Sequence, residues 1–255
     1  MPWIVLGAIA IGLSLGMLGS GGSILTVPVL TYLVGQPEKL AIASSLAIVG
    51  GISVLAMLPF AYRREVDWRS VLWFGLPGMA GTWSGAVVAQ HLPGVVQMLL
   101  FAGIMLLAAW RMLASDAATA LVADAPARSQ LQLVGSGLLV GAITGLVGVG
   151  GGFLIVPALI LLVGMQMRRA VGTSLVVIAT NSFSGFFKYA GTLKALHLIL
   201  DWQVISAFIL IGGVGTVAGN MIGARLPQQR LKQVFGALLV LLSLFMMFRE
   251  IPKLL

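Results

Sequence analysis

The chain has 255 residues, of which 59% are hydrophobic and only 9% charged, and its formal net charge is +8. Soluble domains usually carry about 25% charged residues, so a chain this apolar must have most of its surface covered by lipid. The lack of cysteine excludes disulfides, thiol catalysis and thiolate metal sites, and the basic residues stand in short gaps between apolar runs, where they set membrane topology rather than bind nucleic acid.

The first apolar segment, residues 3–34, is about 30 residues long and is interrupted by glycines. As one straight helix it would reach about 48 Å, well beyond a hydrocarbon core of about 30 Å. We therefore predict a broken or re-entrant element, and we read it as part of the mature protein. Three ordinary spans of about 20 apolar residues follow, at roughly 41–62, 71–91 and 95–113.

Residues 114–130 lack a spanning apolar run and carry Asp116, Asp124, Pro126 and Arg128, which predicts an extramembrane linker. Behind it the pattern repeats. Residues 132–164 are again too long for one straight helix and are broken by glycines, and spans follow at about 171–190, 203–224 and 233–249. We predict an all-α integral membrane protein with about eight hydrophobic segments, divided into repeat 1 (1–113), a linker (114–130) and repeat 2 (131–255).

The two halves share a motif. Residues 16–30, GMLGSGGSILTVPVL, align with residues 145–159, GLVGVGGGFLIVPAL, at an offset of 129, and eight of the 15 positions are identical. The same offset pairs AIASSL at 41–46 with AVGTSL at 170–175. Duplicated units of this kind are typical of secondary transporters.

Two arrangements of the repeats are compatible with this pattern. If each broken segment crosses the membrane the repeats are parallel, and if each returns to its own side they are inverted. The inverted arrangement divides the Lys and Arg residues ten to five between the faces, whereas the parallel one divides them nine to six. The positive-inside rule favours the inverted arrangement, with a cytoplasmic linker and both termini outside.

The twin glycine breaks are the first candidate binding site. Glycine permits a chain break and proline discourages regular helix, so Pro28 and Pro157 are assigned as helix-break residues. Backbone N–H groups at such a break can hold an anion. The candidate residues are Ser20, Gly21, Gly22, Ser23, Gly150, Gly151 and Gly152. The alternative is that these small residues only let helices pack closely.

Polar side chains inside the apolar runs are the second candidate set. Ser44 and Ser45 match Thr173 and Ser174 by the offset, and their hydroxyls can donate to an oxyanion or bond back to their own helix. Asn181 has no counterpart, because Ile52 stands at its equivalent position. A buried amide is costly unless it has a partner, which is either substrate or another helix.

The seven acidic residues all stand in loops or at the ends of apolar runs. A cation or proton relay usually needs a carboxylate within the membrane, so the pattern argues against a cation pump. No metal cluster or Ser/His/Asp set is evident, and we expect no cofactor, no metal and no enzymatic activity. The lack of a nucleotide-binding motif indicates coupling to an ion gradient, of protons or sodium.

The paired motifs GSGGSILTVPVL and GVGGGFLIVPAL, each followed by an (S/T)SL element, resemble the TauE/SafE family of sulfite and organosulfonate exporters. The resemblance covers about residues 3–249, with Ser23 standing where the family motif has a glycine. It implies a multi-pass permease of the bacterial inner membrane for small sulfur-containing anions. From the duplicated breaks we expect alternating access, by movement of one repeat against the other. An anion channel and a non-transporting membrane scaffold remain as alternatives. Substrate, direction and oligomeric state are left open.

Overall fold

The computed structural model describes residues 2–18, 22–114, 130–223 and 228–253, and within these ranges all regular structure is helical. Some side chains inside these helices, Pro157 among them, are not described. The helices are α1 (Pro2–Leu18), α2 (Gly22–Pro28, continued by a π-helical turn Val29–Leu33), α3 (Glu38–Tyr62), α4 (Trp68–Ser70, continued by a π-helical turn Val71–Gly75), α5 (Leu76–Ala89), α6 (Gly94–Ala114), α7 (Gln130–Val147), α8 (Gly152–Val163), α9 (Met167–Ala195), α10 (Trp202–Gly223) and α11 (Gln228–Glu250), with a 3-10 turn at Ile251–Lys253.

Five of the described helical segments are long and apolar enough to cross a membrane: Glu38–Tyr62, Trp68–Ala89, Gln130–Val147, Arg168–Ala195 and Trp202–Ile222. Val5–Met17, Gly22–Leu33 and Gly94–Trp110 form shorter apolar helices. Large apolar side chains such as Leu210, Val214 and Phe248 are 66%, 73% and 81% exposed, as lipid-facing positions are. The predicted spans 41–62, 95–113, 171–190 and 233–249 lie within helices, 71–91 extends two residues past the end of α5, and 203–223 of the predicted span 203–224 are helical.

Helices α3 and α9 form the buried centre and run in opposite directions. A Cβ at Gly50 would lie 3.3 Å from the Cβ of Ser182, and a Cβ at Gly172 would lie 3.0 Å from the Cβ of Phe60. Residue numbers thus rise along one helix as they fall along the other. In each of these helices 72% of the most apolar 18-residue stretch is buried, so the other helices shield both from lipid.

Helix α7 packs against α5, and the two run in the same direction. Gly137 faces Phe74, Gly141 faces Gly78 and Gly145 faces Thr82, in each case so closely that a Cβ on the glycine would collide with a backbone carbonyl. Glycines four residues apart allow this close approach, as in other membrane helix pairs. Their spacing along α7 therefore fixes its register on α5.

Helix α1 packs against α10 in the same way. Gly12 meets the backbone of Gly212, and Gly16 meets the backbone of Thr216, so these helices also run in the same direction. The remaining long pair, α6 and α11, brings the beginning of α11 to the end of α6, because a Cβ at Gly236 would lie 2.8 Å from Leu113. Each long helix of one half thus has a partner in the other half.

Both glycine-rich segments contain a helix break, but the assignment of Pro28 and Pro157 as the helix-break residues is wrong. Helix α2 continues past Pro28 as a π-helical turn and Pro157 lies within α8, so the breaks lie at the glycines before these helices. In the first half α1 ends at Leu18 and α2 begins at Gly22, and in the second half α7 ends at Val147 and α8 begins at Gly152. Helix α2 folds back along α1, since Gly22 lies against Leu15 while Val29 lies against Gly7. The first broken segment is therefore an antiparallel helical hairpin and not one bent helix.

Candidate functional site

The break between α7 and α8 depends on glycines with left-handed backbone conformations. Gly148, Gly150 and Gly151 have φ values of +76°, +68° and +78°, a region that is costly for residues with a Cβ. Gly151 is also the N-cap of α8, and the space that a Cβ on it would need is occupied by the side chain of Thr144. The predicted glycine cradle is thus a tight, buried turn with little room for any side chain.

This break lies at mid-level in the helix bundle. A Cβ at Gly150 would touch the Oγ of Ser182 and lie 3.1 Å from Val49, and both residues are close to the centres of their helices. Helix α8 therefore begins in the interior and runs outwards for 12 residues. The first N–H groups of a helix have no intrahelical acceptor and carry its positive dipole end, which here lies inside the bundle.

Ser45 fastens this break to α3. Its Oγ lies 2.7 Å from the carbonyl oxygen of Gly148 and 2.8 Å from that of Ile42. The hydroxyl can donate to either carbonyl, and its position explains why a serine stands at this point of a buried helix. The predicted site residue Ser45 thus contacts the glycine turn directly, through a carbonyl rather than through an N–H.

The end of α7 is also held by Gln97 and Tyr189, whose side chains form hydrogen bonds with its last carbonyl groups. The sequence analysis did not select either residue. Gln97 donates from Nε2 to the carbonyl of Leu146 at 3.1 Å and to the Tyr189 hydroxyl at 2.9 Å. The Tyr189 hydroxyl lies 3.2 Å from the carbonyl oxygen of Gly145. Both side chains are fully buried or nearly so. A lone glutamine in the apolar run 95–113 was the signal that could have identified this anchor.

Two neighbouring polar side chains at mid-level have no hydrogen-bond partner among the described residues. Asn181 and Ser182 are both 0% exposed, and neither the amide of Asn181 nor the hydroxyl of Ser182 is bonded there. A buried polar group without a partner costs about 1–3 kcal/mol. Native proteins tolerate such a cost mainly where the group has a function.

The surroundings of Asn181 differ from those of its counterpart in the first half. Asn181 lies against Gly78 of α5, where a Cβ on the glycine would be 3.0 Å from Nδ2. At the equivalent position Ile52 lies against Gly212 of α10, where the corresponding distance to Cδ1 is 2.6 Å. The predicted asymmetry is therefore a polar contact in one half and an apolar contact in the other.

Ser53 is the counterpart of Ser182, since it stands 129 residues earlier, at the offset that relates the two motifs. It is also 0% exposed and has no hydrogen-bond partner in the described part of the chain. Like Ser182 it lies near the centre of its helix. This position was not selected from the sequence, although the offset alone would have paired it with Ser182.

The first break is described only in part. Ser20 and Gly21 lie outside the described residues, whereas Gly22 and Ser23 are buried at the start of α2. Helix α2 contacts α8, so the two short helices that follow the breaks meet inside the bundle. Pro28 is the last residue of α2, where its missing N–H coincides with the change to a π-helical turn.

The other predicted hydroxyls lie nearer the ends of their helices. Thr173 accepts a hydrogen bond from the backbone N–H of Asp67 at 2.9 Å, which ties α9 to the loop before α4. Ser174 donates to the carbonyl of Val171 in its own helix at 2.8 Å. Ser44 is fully buried without a partner among the described residues. Gly152, the first residue of α8, is also buried.

Charged residues gather at the two ends of the bundle. At one end, which we call the arginine face (Arg63, Arg64, Arg69, Arg168 and Arg169), Arg168 forms an ion pair with Glu65 at 2.9 Å. A cleft of about 570 Å³ opens on this face between the α3–α4 loop and the α8–α9 loop. Arg64, Arg168 and Arg169 line it together with Glu65 and Asp67.

The opposite face carries a polar network that we call the latch (Tyr32, Glu38, Glu250 and Lys253). The Tyr32 hydroxyl donates to Glu250 at 2.8 Å, and Lys253 Nζ lies 3.0 Å from carboxylate oxygens of both Glu250 and Glu38. Although partial burial acts to lower it, these hydrogen bonds and charges raise the pKa of Lys253. The latch ties the end of the α1–α2 hairpin to the end of α11.

Comparison with known proteins identifies the family of this chain. Residues 4–246 match the sulfite exporter TauE/SafE family. A probable membrane transporter protein of Xylella fastidiosa is 32% identical over 251 residues, which cover 94% of this chain and 92% of the relative. A probable membrane transporter protein of Methanocaldococcus jannaschii is 24% identical over 257 residues, covering 97% and 95% of the two chains. No solved structure matches the chain at a significant level.

The relatives are membrane transporters and not enzymes, and the described part of this chain contains several helices that are apolar enough to cross a membrane. The chain is thus a multi-pass membrane transporter of the permease type. It belongs to the TauE/SafE sulfite exporter family.

Proposed function

We propose that this protein is a secondary transporter of small anions, namely sulfite or organosulfonates, with its substrate site at the paired helix breaks. The observation that carries the proposal is the pair Asn181 and Ser182, which are buried and without a partner among the described residues. Ser182 lies directly beside Gly150 at the positive end of α8. The Ser182 hydroxyl and the first N–H groups of α8 therefore lie together, and the Asn181 amide is on the adjacent residue of α9, against Gly78.

In this proposal the two halves are inverted repeats. The antiparallel course of α3 and α9 supports it, as do the matching pairs α1 with α10 and α7 with α5. Residues 1–113 and 131–255 would each supply one helical hairpin and three crossings, with residues 114–130 as the linker between them. Breaks that meet near the midplane at the interface of two repeats are a common site for substrate in transporters.

The proposed orientation follows the arginine face. Arg63, Arg64 and Arg69 stand at one end of the bundle together with Arg168 and Arg169, and an excess of arginine marks the cytoplasmic side of a membrane. We accordingly place the arginine face and the linker in the cytoplasm and both termini outside, in the inner membrane. Substrate would move by alternating access, driven by a proton or sodium gradient.

The test is flux of labelled sulfite and of a labelled sulfonate into proteoliposomes, with variants that remove the unpartnered polar groups. Asn181→Leu and Ser182→Ala replace them by apolar groups of similar or smaller size. Because neither group has a partner to lose among the described residues, thermal stability in detergent is expected to stay the same or to rise. Saturable flux in the parent and a loss of at least about tenfold in both variants would support the site.

The matched control is Ser206→Ala on α10, where the hydroxyl is exposed and bonds only to the Gln203 carbonyl of its own helix. Its flux should equal that of the parent. Unchanged flux in Asn181→Leu would refute the site, and absence of flux for either anion in a folded parent would refute the anion carrier. Currents far above carrier turnover would indicate a channel instead, and the lack of any flux would favour a scaffold.

A further inference from the structure

The apolar runs that contain the two helix breaks and the centre of the bundle carry no charged residue. The sequence has no Lys, Arg, His, Asp or Glu within 2–37, 40–62, 70–90, 129–167, 170–187 and 202–224. These stretches include both helix breaks and the whole central part of α3, α5, α9 and α10. Whatever binds at the breaks is therefore neutralised only by dipoles and hydrogen bonds.

The described charges nearest the breaks lie close to the ends of the bundle. Lys39 follows the first residue of α3 and donates to the carbonyl of Ala89. Lys188 lies two turns beyond Asn181, with Nζ 6.0 Å from the centre of the Trp83 ring. On the other face Arg168 is paired with Glu65. Each of these groups is already engaged at its own end of the bundle.

The donors at mid-level suit one negative charge and not two. The first turn of α8 offers the equivalent of about half a positive charge, and Ser182 and Asn181 offer neutral hydrogen bonds. The cost of taking an ion out of water rises with the square of its charge, so a dianion costs about four times as much as a monoanion of the same size. Uncharged hydrogen-bond donors without a nearby cation offset only a small part of this desolvation cost.

We propose that the site accepts only monoanions, so that an acid with two ionisations is carried in its singly charged form. This inference rests on the proposed function and specifies the charge of its substrate. A sulfonate with one acidic group has a single charge at every physiological pH. Sulfite loses its second proton near neutral pH, so only its protonated form, hydrogen sulfite, would be bound, and each molecule would bring one proton with it.

The experiment compares three labelled anions in proteoliposomes, with the same pH inside and outside, between about pH 7 and pH 9. Methanesulfonate has one charge throughout this range and serves as the internal reference, sulfite changes from one charge to two, and sulfate has two throughout. Protein-free liposomes measure passive leakage. All fluxes are taken at substrate concentrations well below saturation, so that flux follows the concentration of the bound form.

Methanesulfonate flux is expected to stay constant with pH, while sulfite flux falls about tenfold per pH unit above its second ionisation. Sulfate is expected neither to be transported nor to inhibit methanesulfonate. Sulfite flux that follows methanesulfonate at every pH, or transport of sulfate, would overturn the monoanion inference and leave the carrier intact. Absence of flux for all three anions would refute the carrier and this inference with it.

Discussion

Replacing Tyr189 by phenylalanine is expected to loosen the break between α7 and α8 while preserving the packing of the ring. The ring is buried with 1% exposure, and the hydroxyl bonds to Gln97 and to the carbonyl of Gly145. The N–H of Val149, which would serve Gly145 in a continuing helix, is bonded to Thr144 instead. Removal of the hydroxyl therefore leaves the Gly145 carbonyl without that bond and Gln97 with one acceptor fewer.

The size of the effect follows from these two losses. A buried polar group left without a partner costs about 1–3 kcal/mol, so we expect Tyr189→Phe to lower the free energy of unfolding by about 2 kcal/mol, or about 30-fold in the unfolding equilibrium. For a chain of this size that is a fall in Tm of about 4–8 °C. Thermal unfolding in detergent measures it, and proteoliposome flux reports whether the break has moved.

Tyr62 provides the matched control, since it is 93% exposed and only three tyrosines occur in the chain. Tyr62→Phe should change stability by less than about 0.5 kcal/mol. Equal Tm values for Tyr189→Phe, Tyr62→Phe and the parent would refute the reasoning, because they would mean that the carbonyls at the end of α7 do not depend on the Tyr189 hydroxyl.

Three further predictions concern helix packing and the latch. Gly145→Ala should lower the free energy of unfolding by about 1–3 kcal/mol or more, because its Cβ would collide with the facing helix. Gly135→Ala on the same helix has open space around it and should leave the free energy of unfolding unchanged or raise it by up to about 1 kcal/mol. Equal unfolding curves for the two variants would contradict the register given for α7. Lys253→Met should lower Tm. Because the pKa of Lys253 is raised in the fold, the difference in Tm from the parent should be full below the unfolded pKa of about 10 and shrink as the pH rises through the folded pKa; a difference that does not shrink at alkaline pH would exclude an ionic origin. Tyr32→Phe should weaken the latch, so that Ser182→Cys in this cysteine-free chain reacts several-fold faster with a membrane-impermeant thiol reagent added from the latch face. An unchanged rate would mean that the Tyr32–Glu250 hydrogen bond does not limit access from this face.

The sequence alone predicted the features that depend on composition and spacing. Low charge content required a membrane protein, and glycines in two over-long apolar segments required helix breaks, which the structure places at Leu18–Gly22 and Val147–Gly152. Asn181 was identifiable because an amide is rare in an apolar run. The lack of charge in the apolar runs, on which the monoanion inference rests, can also be read directly from the sequence.

Only the tertiary structure could decide which of several similar hydroxyls are available to a ligand. The Ser45 hydroxyl is hydrogen-bonded to the carbonyl of Gly148, and Thr173 accepts a hydrogen bond from the N–H of Asp67, each partner lying more than 100 residues away along the chain. Ser182 has no partner among the described residues. Gln97 and Tyr189 likewise meet α7 only after folding. A residue type and its spacing determine which hydrogen bonds a side chain can make, but the partner that is present is set by helices from distant parts of the chain.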